Sequence, residues 1–213
     1  MADHIHDCNE AIGQQFYLDE DGWCKQARHM PSPNCDARPT GVSVSLLVIH
    51  NISLPPGQFG GAFIGDLFSN VLDYDAHPYF DQLRTLRVSA HFLIRRDGEL
   101  MQFVSANDRA WHAGVSSFRG RERCNDFSIG IELEGTDDVQ FADKQYVILS
   151  ALTCGLRARY LLSDVVGHQH IAPERKTDPG PHFDWEHYQS YYQAACNRHE
   201  TSFPVSGDLI FPV

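Results

Sequence analysis

Asp97-Gly98 constrains the fold most, because an Asp-Gly pair between two apolar-rich runs favours a tight hairpin turn. It separates Ala90-His91-Phe92-Leu93-Ile94 from Leu100-Met101-Gln102-Phe103-Val104. A two-residue turn there sets Arg96 opposite Glu99, Ile94 opposite Met101 and Phe92 opposite Phe103, so opposite charges and apolar pairs meet across the strands. An antiparallel strand pair is therefore expected.

The other segments read differently. Ser45-Leu46-Leu47-Val48-Ile49 is a short apolar run, consistent with a strand buried on both faces, and it delivers His50 at its end. Phe127 to Leu133 is a further strand in which Gly130 allows close backbone approach, and Val165-Val166 ends another just before His168. Between them, Ile148, Leu149, Leu152, Leu156 and Tyr160 recur at helical spacing, which predicts an amphipathic helix from Asp143 to Tyr160. Asp184 can cap a last helix reaching about His199, with Trp185, Tyr188, Tyr191 and Tyr192 on its buried side. Residues 62 to 87 carry weaker helical patterning, after Pro55-Pro56-Gly57 and Gly60-Gly61 break regular structure. Strands alternating with helices, plus one hairpin, predict an α/β fold: a single domain with a central mixed β-sheet covered by helices. At 213 residues and 42% hydrophobic content, one compact domain is expected. It is placed at 22–198, with an N-terminal extension at 1–21 and an apolar C-terminal tail at 199–213 that packs on the domain or mediates self-association.

A formal charge of −11 argues against nucleic acid or a membrane surface as partner, since both are held by clustered Lys and Arg. The start, Met1-Ala2-Asp3-His4-Ile5-His6-Asp7, has neither the basic nor the apolar region of a secretory signal, and no apolar stretch approaches the roughly 20 residues that span a bilayer. A cytoplasmic location is expected. Cys8, Cys24, Cys35, Cys124, Cys154 and Cys196 show no paired spacing, so they read as thiols, mostly buried, and not as a thiolate metal site.

The chemistry gathers around Gly167-His168-Gln169-His170-Ile171-Ala172-Pro173-Glu174-Arg175-Lys176-Thr177-Asp178-Pro179, a proline-bounded loop at a strand end. His50 and His168, each ending a strand, and Asp178 from the loop would give zinc three nitrogen and oxygen ligands and leave one position open, the pattern of a catalytic site. His170 stands close enough to be a rival ligand. A carboxylate in the apolar strand Ile131-Glu132-Leu133-Glu134 needs a role, and general base is the natural one. Glu134 lies on the same face as Glu132, so periodicity leaves both open. Lys176, close to Asp178, is placed to donate to an oxyanion.

Five segments carry a family resemblance: Leu47-Val48-Ile49-His50-Asn51-Ile52-Ser53, Ala110-Trp111-His112-Ala113-Gly114, Arg121-Glu122-Arg123-Cys124-Asn125-Asp126, Ile129-Gly130-Ile131-Glu132-Leu133-Glu134-Gly135 and Lys176-Thr177-Asp178-Pro179-Gly180-Pro181. Together they resemble the zinc-dependent N-acetylmuramoyl-L-alanine amidases, in particular those that act on 1,6-anhydro-N-acetylmuramyl peptides, over about residues 22 to 190. The resemblance implies the amidase and peptidoglycan-recognition-protein fold, one zinc ion on His50, His168 and Asp178, and His168 rather than His170 as ligand. It implies Glu132, Lys176 and Tyr79 as catalytic residues, and Arg87 and Arg123 as substrate contacts through bidentate carboxylate binding. Asn51, Trp111, His112 and Leu133 are further substrate-binding candidates. The implied reaction is hydrolysis of the amide between anhydromuramic acid and L-alanine in small soluble muropeptides. An enzyme of polymeric cell wall, as in phage endolysins, and a recognition module without activity are the alternatives, and the presence of all three ligand residues argues against the latter.

Overall fold

The computed structural model describes residues 15–199 and 208–212. Ten strands are present among them: β1 Arg28–His29, β2 Cys35–Asp36, β3 Leu46–Ile52, β4 Phe92–Ile94, β5 Leu100–Gln102, β6 Arg109–Ala110, β7 Ser117–Phe118, β8 Arg121–Glu122, β9 Ser128–Glu134 and β10 Asp164–Gly167. Six form one sheet in the order β1-β5-β4-β9-β3-β10, in which only the β4/β5 pair is antiparallel. The mixed sheet is therefore as expected, with β3, β9 and β10 lying side by side and pointing the same way.

Period-2 alternation divides each long strand between two faces. Leu47 and Ile49 of β3 and Ile129, Ile131 and Leu133 of β9 join one apolar core with two long helices, α2 Asp143–Arg157 and α4 Trp185–His199. Here α1 denotes Phe63–Phe68 and α3 the single turn His168–Ile171. The opposite face carries His50, Glu132 and Glu134, and beside them Leu93, Met101 and Phe103 pack against Ile64, Leu67 and Phe68 of α1 and Phe80 of the 3₁₀ segment Pro78–Leu83. One face is thus sealed by helices; the other, covered by short elements and loops, holds the polar groups.

Asp184 caps α4 as expected, its Oδ1 accepting the His187 N–H at 2.8 Å. The hairpin turns differently. Phe92 pairs with Gln102, Leu93 with Met101 and Ile94 with Leu100, one residue away from the two-residue-turn register. Arg95 N–H donates to Glu99 C=O at 2.9 Å, Gly98 N–H donates to Arg95 C=O at 3.0 Å, and Gly98 has φ 91. Asp97 has no positive φ, so the tight turn that needs two left-handed residues does not form, and a three-residue loop ending on glycine replaces it.

The boundary at residue 22 does not mark a break in packing, because Phe16 belongs to the helix-side core. Residues 1–14 and 200–207 of the extension and tail lie outside the described residues. Leu209 and Phe211 of the tail are buried in that same core, and Ile210 bridges to Asp164 beside β10. Of the five described cysteines, Cys24, Cys124 and Cys154 are buried.

Candidate active site

The parallel register sets His50 of β3 directly beside Glu132 of β9. The end of β10 supplies His168 as the first residue of α3, and the following loop returns Asp178 to the same place. His50 Nδ1 lies 2.9 Å from Asp178 Oδ2 and 3.0 Å from His168 Nδ1, and His168 Nδ1 lies 3.1 Å from Asp178 Oδ2. Neighbouring ligands on tetrahedral zinc, with bonds of about 2.0–2.1 Å, stand about 3.3 Å apart, so the three donors already approach that spacing. His168 Nε2 is engaged by the Ala113 carbonyl at 3.1 Å, and His50 Nε2 by His112 Nδ1 at 3.0 Å, so both imidazoles meet Asp178 through Nδ1. Two imidazoles and one carboxylate are a donor set that suits zinc, and the residues fit the ion.

Burial pushes His50 down to about 4, against the pull of Asp178, so its imidazole is neutral at pH 7, as a metal ligand requires. Burial works to raise Asp178, but the Nδ1 atoms of His168 and His50 within hydrogen-bond distance outweigh it and hold the carboxyl well below the usual range. Glu132 behaves in the opposite way. Burial and the nearby Asp178 charge raise its carboxyl well above the ordinary value, with Lys176 opposing them. Its Oε2 is buried and has no hydrogen-bond partner.

The choice between the two glutamates follows from their contacts. Glu134 accepts the Gly60 N–H at 2.7 Å, the Arg96 N–H at 3.2 Å and a guanidinium hydrogen bond from Arg95 at 3.4 Å. It anchors loops, whereas Glu132 keeps an open acceptor beside the cluster. Lys176 is half-buried and close enough for its charge to act on both Glu132 and His50. His170 has a structural role: its Nδ1 accepts the Gly167 N–H at 2.8 Å, closing α3 at its start.

The substrate-binding candidates divide. The Leu133 side chain lies fully buried in the helix-side core, facing away from His50, as alternation with Glu132 demands; only its backbone borders the site. Asn51 uses both amide protons within the fold, on Asp137 Oδ1 at 2.6 Å and Pro179 C=O at 3.0 Å, and so holds the loop carrying Asp178. Trp111 is half-buried and hydrogen-bonds to Asp36 through its side chain. Arg87 and Arg123 are exposed. Arg87 caps nearby carbonyls of Arg84 and Leu86, and Arg123 Nε lies 3.3 Å from Asp126. Tyr79, 37% exposed, sits at the start of the 3₁₀ segment, and its backbone hydrogen bonds to His77 and Gln82 are local.

His112 touches His50, and three residues that sequence reasoning did not single out support the site around it: Ala113 through its carbonyl, Asn125 and Ser128. A backbone carbonyl carries no residue-type signal, and the other two act through a loop distant in sequence.

Residues 40–181 match the family model described as N-acetylmuramoyl-L-alanine amidase. The chain is 56% identical over 186 residues, 86% of its length and 99% of the relative, to the 1,6-anhydro-N-acetylmuramyl-L-alanine amidase AmpD of Citrobacter freundii. A solved crystal structure of an AmpD selenomethionine derivative matches with a TM-score of 0.80 and 58% identity, covering 82% of this chain and 98% of that one. AmpDh3 from Pseudomonas aeruginosa, solved in complex with anhydromuramic pentapeptide, matches with a TM-score of 0.51 and 29% identity over 72% of this chain and 62% of that one. With its sheet, its His-His-Asp cluster and these similarities in agreement, the chain belongs to the N-acetylmuramoyl-L-alanine amidase family.

Proposed function

We propose that this enzyme is a zinc-dependent amidase that cleaves the amide between 1,6-anhydro-N-acetylmuramic acid and L-alanine of the stem peptide. Its substrates are soluble muropeptides of cytoplasmic peptidoglycan recycling. The observation that carries the catalytic reading is the buried Glu132 carboxylate, with an unpartnered oxygen, beside His50 of the three-donor cluster. The substrate follows the relatives: the chain spans nearly the whole of an amidase named for the anhydromuramyl amide, and AmpDh3 is titled with an anhydromuramic pentapeptide bound.

His50, His168 and Asp178 hold the zinc, which when bound polarises the scissile carbonyl and acidifies water. Glu132 takes the proton of the attacking water and returns it to the departing alanine nitrogen. A raised carboxyl pKa suits both halves of that transfer, because acceptance and donation then lie closer in energy near neutral pH. Lys176 donates to the oxyanion that develops on the carbonyl, and partial burial strengthens that interaction relative to water. Tyr79 completes the catalytic set. Arg87 and Arg123 meet the stem-peptide carboxylates, and their exposure leaves both guanidinium groups accessible to a ligand.

Product release from a purified anhydromuropeptide, measured beside release from intact sacculi, tests the reading. Turnover of the soluble substrate is expected, and it is expected to stop on chelation and return with zinc. Turnover of sacculi alone would move the enzyme to polymeric cell wall, and binding without turnover of either would make it a recognition module.

A further inference from the structure

Both imidazoles of the cluster are held by their far nitrogens, and both attachments fall on consecutive residues of one loop. His50 Nε2 meets His112 Nδ1 at 3.0 Å, and His168 Nε2 meets the Ala113 carbonyl at 3.1 Å. The loop is itself fixed at three points. Asn125 Oδ1 accepts the N–H groups of both His112, at 3.2 Å, and Ala113, at 2.8 Å, while Trp111 N–H donates to Ser89 Oγ at 3.1 Å.

The direction of each hydrogen bond can be read from its end. A carbonyl only accepts, so His168 donates from Nε2 and turns Nδ1 toward Asp178 and a metal. On the other side, Ser128 Oγ donates to the Cys124 carbonyl at 2.6 Å and therefore accepts from His112 Nε2 at 3.2 Å. A neutral His112 protonated on Nε2 has an acceptor at Nδ1, so His50 must donate from Nε2, and it too turns Nδ1 toward Asp178 and a metal. Two chains ending on backbone carbonyls thus keep a proton on Nε2 of both histidines and reserve Nδ1 for a metal, without adding a charged partner on the far side. The sequence makes room for this arrangement. A Cβ at position 130 would lie 2.4 Å from His112 Cγ, so only glycine lets the ring sit over β9.

We propose that the His112-Ala113 segment is a positioning element that presets both histidines for the metal, and that Asn125 and Ser128 set metal affinity through it without touching the ligands. The metal-affinity part rests on the zinc reading above; the tautomer part does not. His112 is accordingly a positioning residue and not a substrate contact.

Long-range 1H–15N spectra of the imidazoles in metal-free protein report the tautomers directly, and competition with a chromophoric chelator gives zinc affinity. Wild-type protein is expected to show a proton on Nε2 of both His50 and His168. His112→Phe and Asn125→Ala are expected to weaken zinc binding by about 10–100-fold, the usual cost of removing an outer partner, and to mix the His50 tautomers in the first case. Ser128→Ala should move both readouts in the same direction by less. His112→Asn, whose amide oxygen replaces Nδ1 as acceptor, should recover most of the affinity. Unchanged zinc affinity and tautomers in Asn125→Ala and Ser128→Ala, or a His112→Asn variant affected only in KM, would overturn the proposal. Should His112→Phe fail to fold, those milder variants and the wild-type tautomers decide it. Wild-type protein that shows the assigned tautomers but binds no zinc would overturn the zinc reading and leave the tautomer assignment standing.

Discussion

Glu132 and His50 are direct neighbours on adjacent parallel strands, and the glutamate reaches this position buried, with one carboxylate oxygen lacking any protein partner. Glu132→Gln keeps the shape and removes the base. The expected result is a fall in kcat of about 10²–10⁴-fold with zinc content unchanged, measured by turnover and metal analysis. Loss of zinc in this variant would instead make Glu132 a ligand.

The same carboxyl also affects stability. Its pKa is raised in the folded protein by burial and by Asp178, so the folded state binds more protons than the unfolded one between the unfolded value and the higher folded one. Stability from this group therefore falls as pH rises through that window. Metal-free Glu132→Gln should be more stable than wild type at pH 7–8, by on the order of 1–3 kcal/mol, and the difference should vanish below about pH 4, where Glu132 is protonated in both states. Denaturant midpoints at a series of pH values measure it, and a gap that persists in acid would contradict the assignment.

Histidine burial gives the opposite dependence. Burial, reinforced by the Arg38 charge, pushes His91 down to about 3. Its Nδ1 accepts the Gly130 N–H at 3.0 Å and its Nε2 meets the Asp108 carbonyl at 3.1 Å, so a second proton would face an N–H donor. The neutral form contributes stability that is fully present above the unfolded value of about 6.5 and lost as pH falls toward the folded value. His91→Asn, whose side-chain oxygen can still accept from Gly130, should show a shallower decline between pH 6.5 and 4. Equal slopes for wild type and His91→Asn across that range would show that His91 does not titrate with unfolding.

These contrasts show what the sequence made legible. His50 could be placed because it ends an apolar run, and Glu132 because a carboxylate in such a strand needs a purpose. Alternation could not separate Glu132 from Glu134, since both share a face; the distinction comes from Gly60, Arg95 and Arg96, brought in by distant loops. Leu133 is a pocket candidate in the sequence, although alternation with Glu132 already turns its side chain the other way, into the core where it lies. The hairpin was legible but its register was not, because Asp-Gly also serves a three-residue loop when only the glycine adopts positive φ. In the sequence His170 could be told from His168 only through the family resemblance; the physical reason is in the structure, where its Nδ1 closes α3 on Gly167.

Asp178 closes the cluster and should govern metal retention. Asp178→Ala removes the only anionic ligand of the cluster and leaves two imidazoles 3.0 Å apart. Zinc is expected to be lost at micromolar total metal, together with activity, and the zinc-dependent rise in thermal midpoint expected for wild type should disappear. Lys176→Ala should retain that rise while kcat falls about 10²–10³-fold. Equal zinc stabilisation in wild type and Asp178→Ala would remove Asp178 from the ligand set.

The C-terminal tail provides a test of stability separate from catalysis. Phe211 packs its ring 5.1 Å from Tyr188 and 5.5 Å from Tyr192, on the helix-covered face of the sheet, and Ile210 N–H donates to Ser163 C=O at 2.9 Å. Phe211→Ala opens a cavity between α4 and the tail. Complete burial would put its cost at about 3–5 kcal/mol, and the residual exposure of Phe211 places the expected loss toward the lower end. The catalytic cluster lies across the sheet and shares no side chain with this contact, so kcat at 25 °C should stay within about twofold of wild type. Denaturation, sedimentation and turnover together check the point. A destabilised variant with normal kcat and unchanged oligomeric state would establish the tail as part of the domain core, whereas a shift in oligomeric state without loss of stability would make it an association surface.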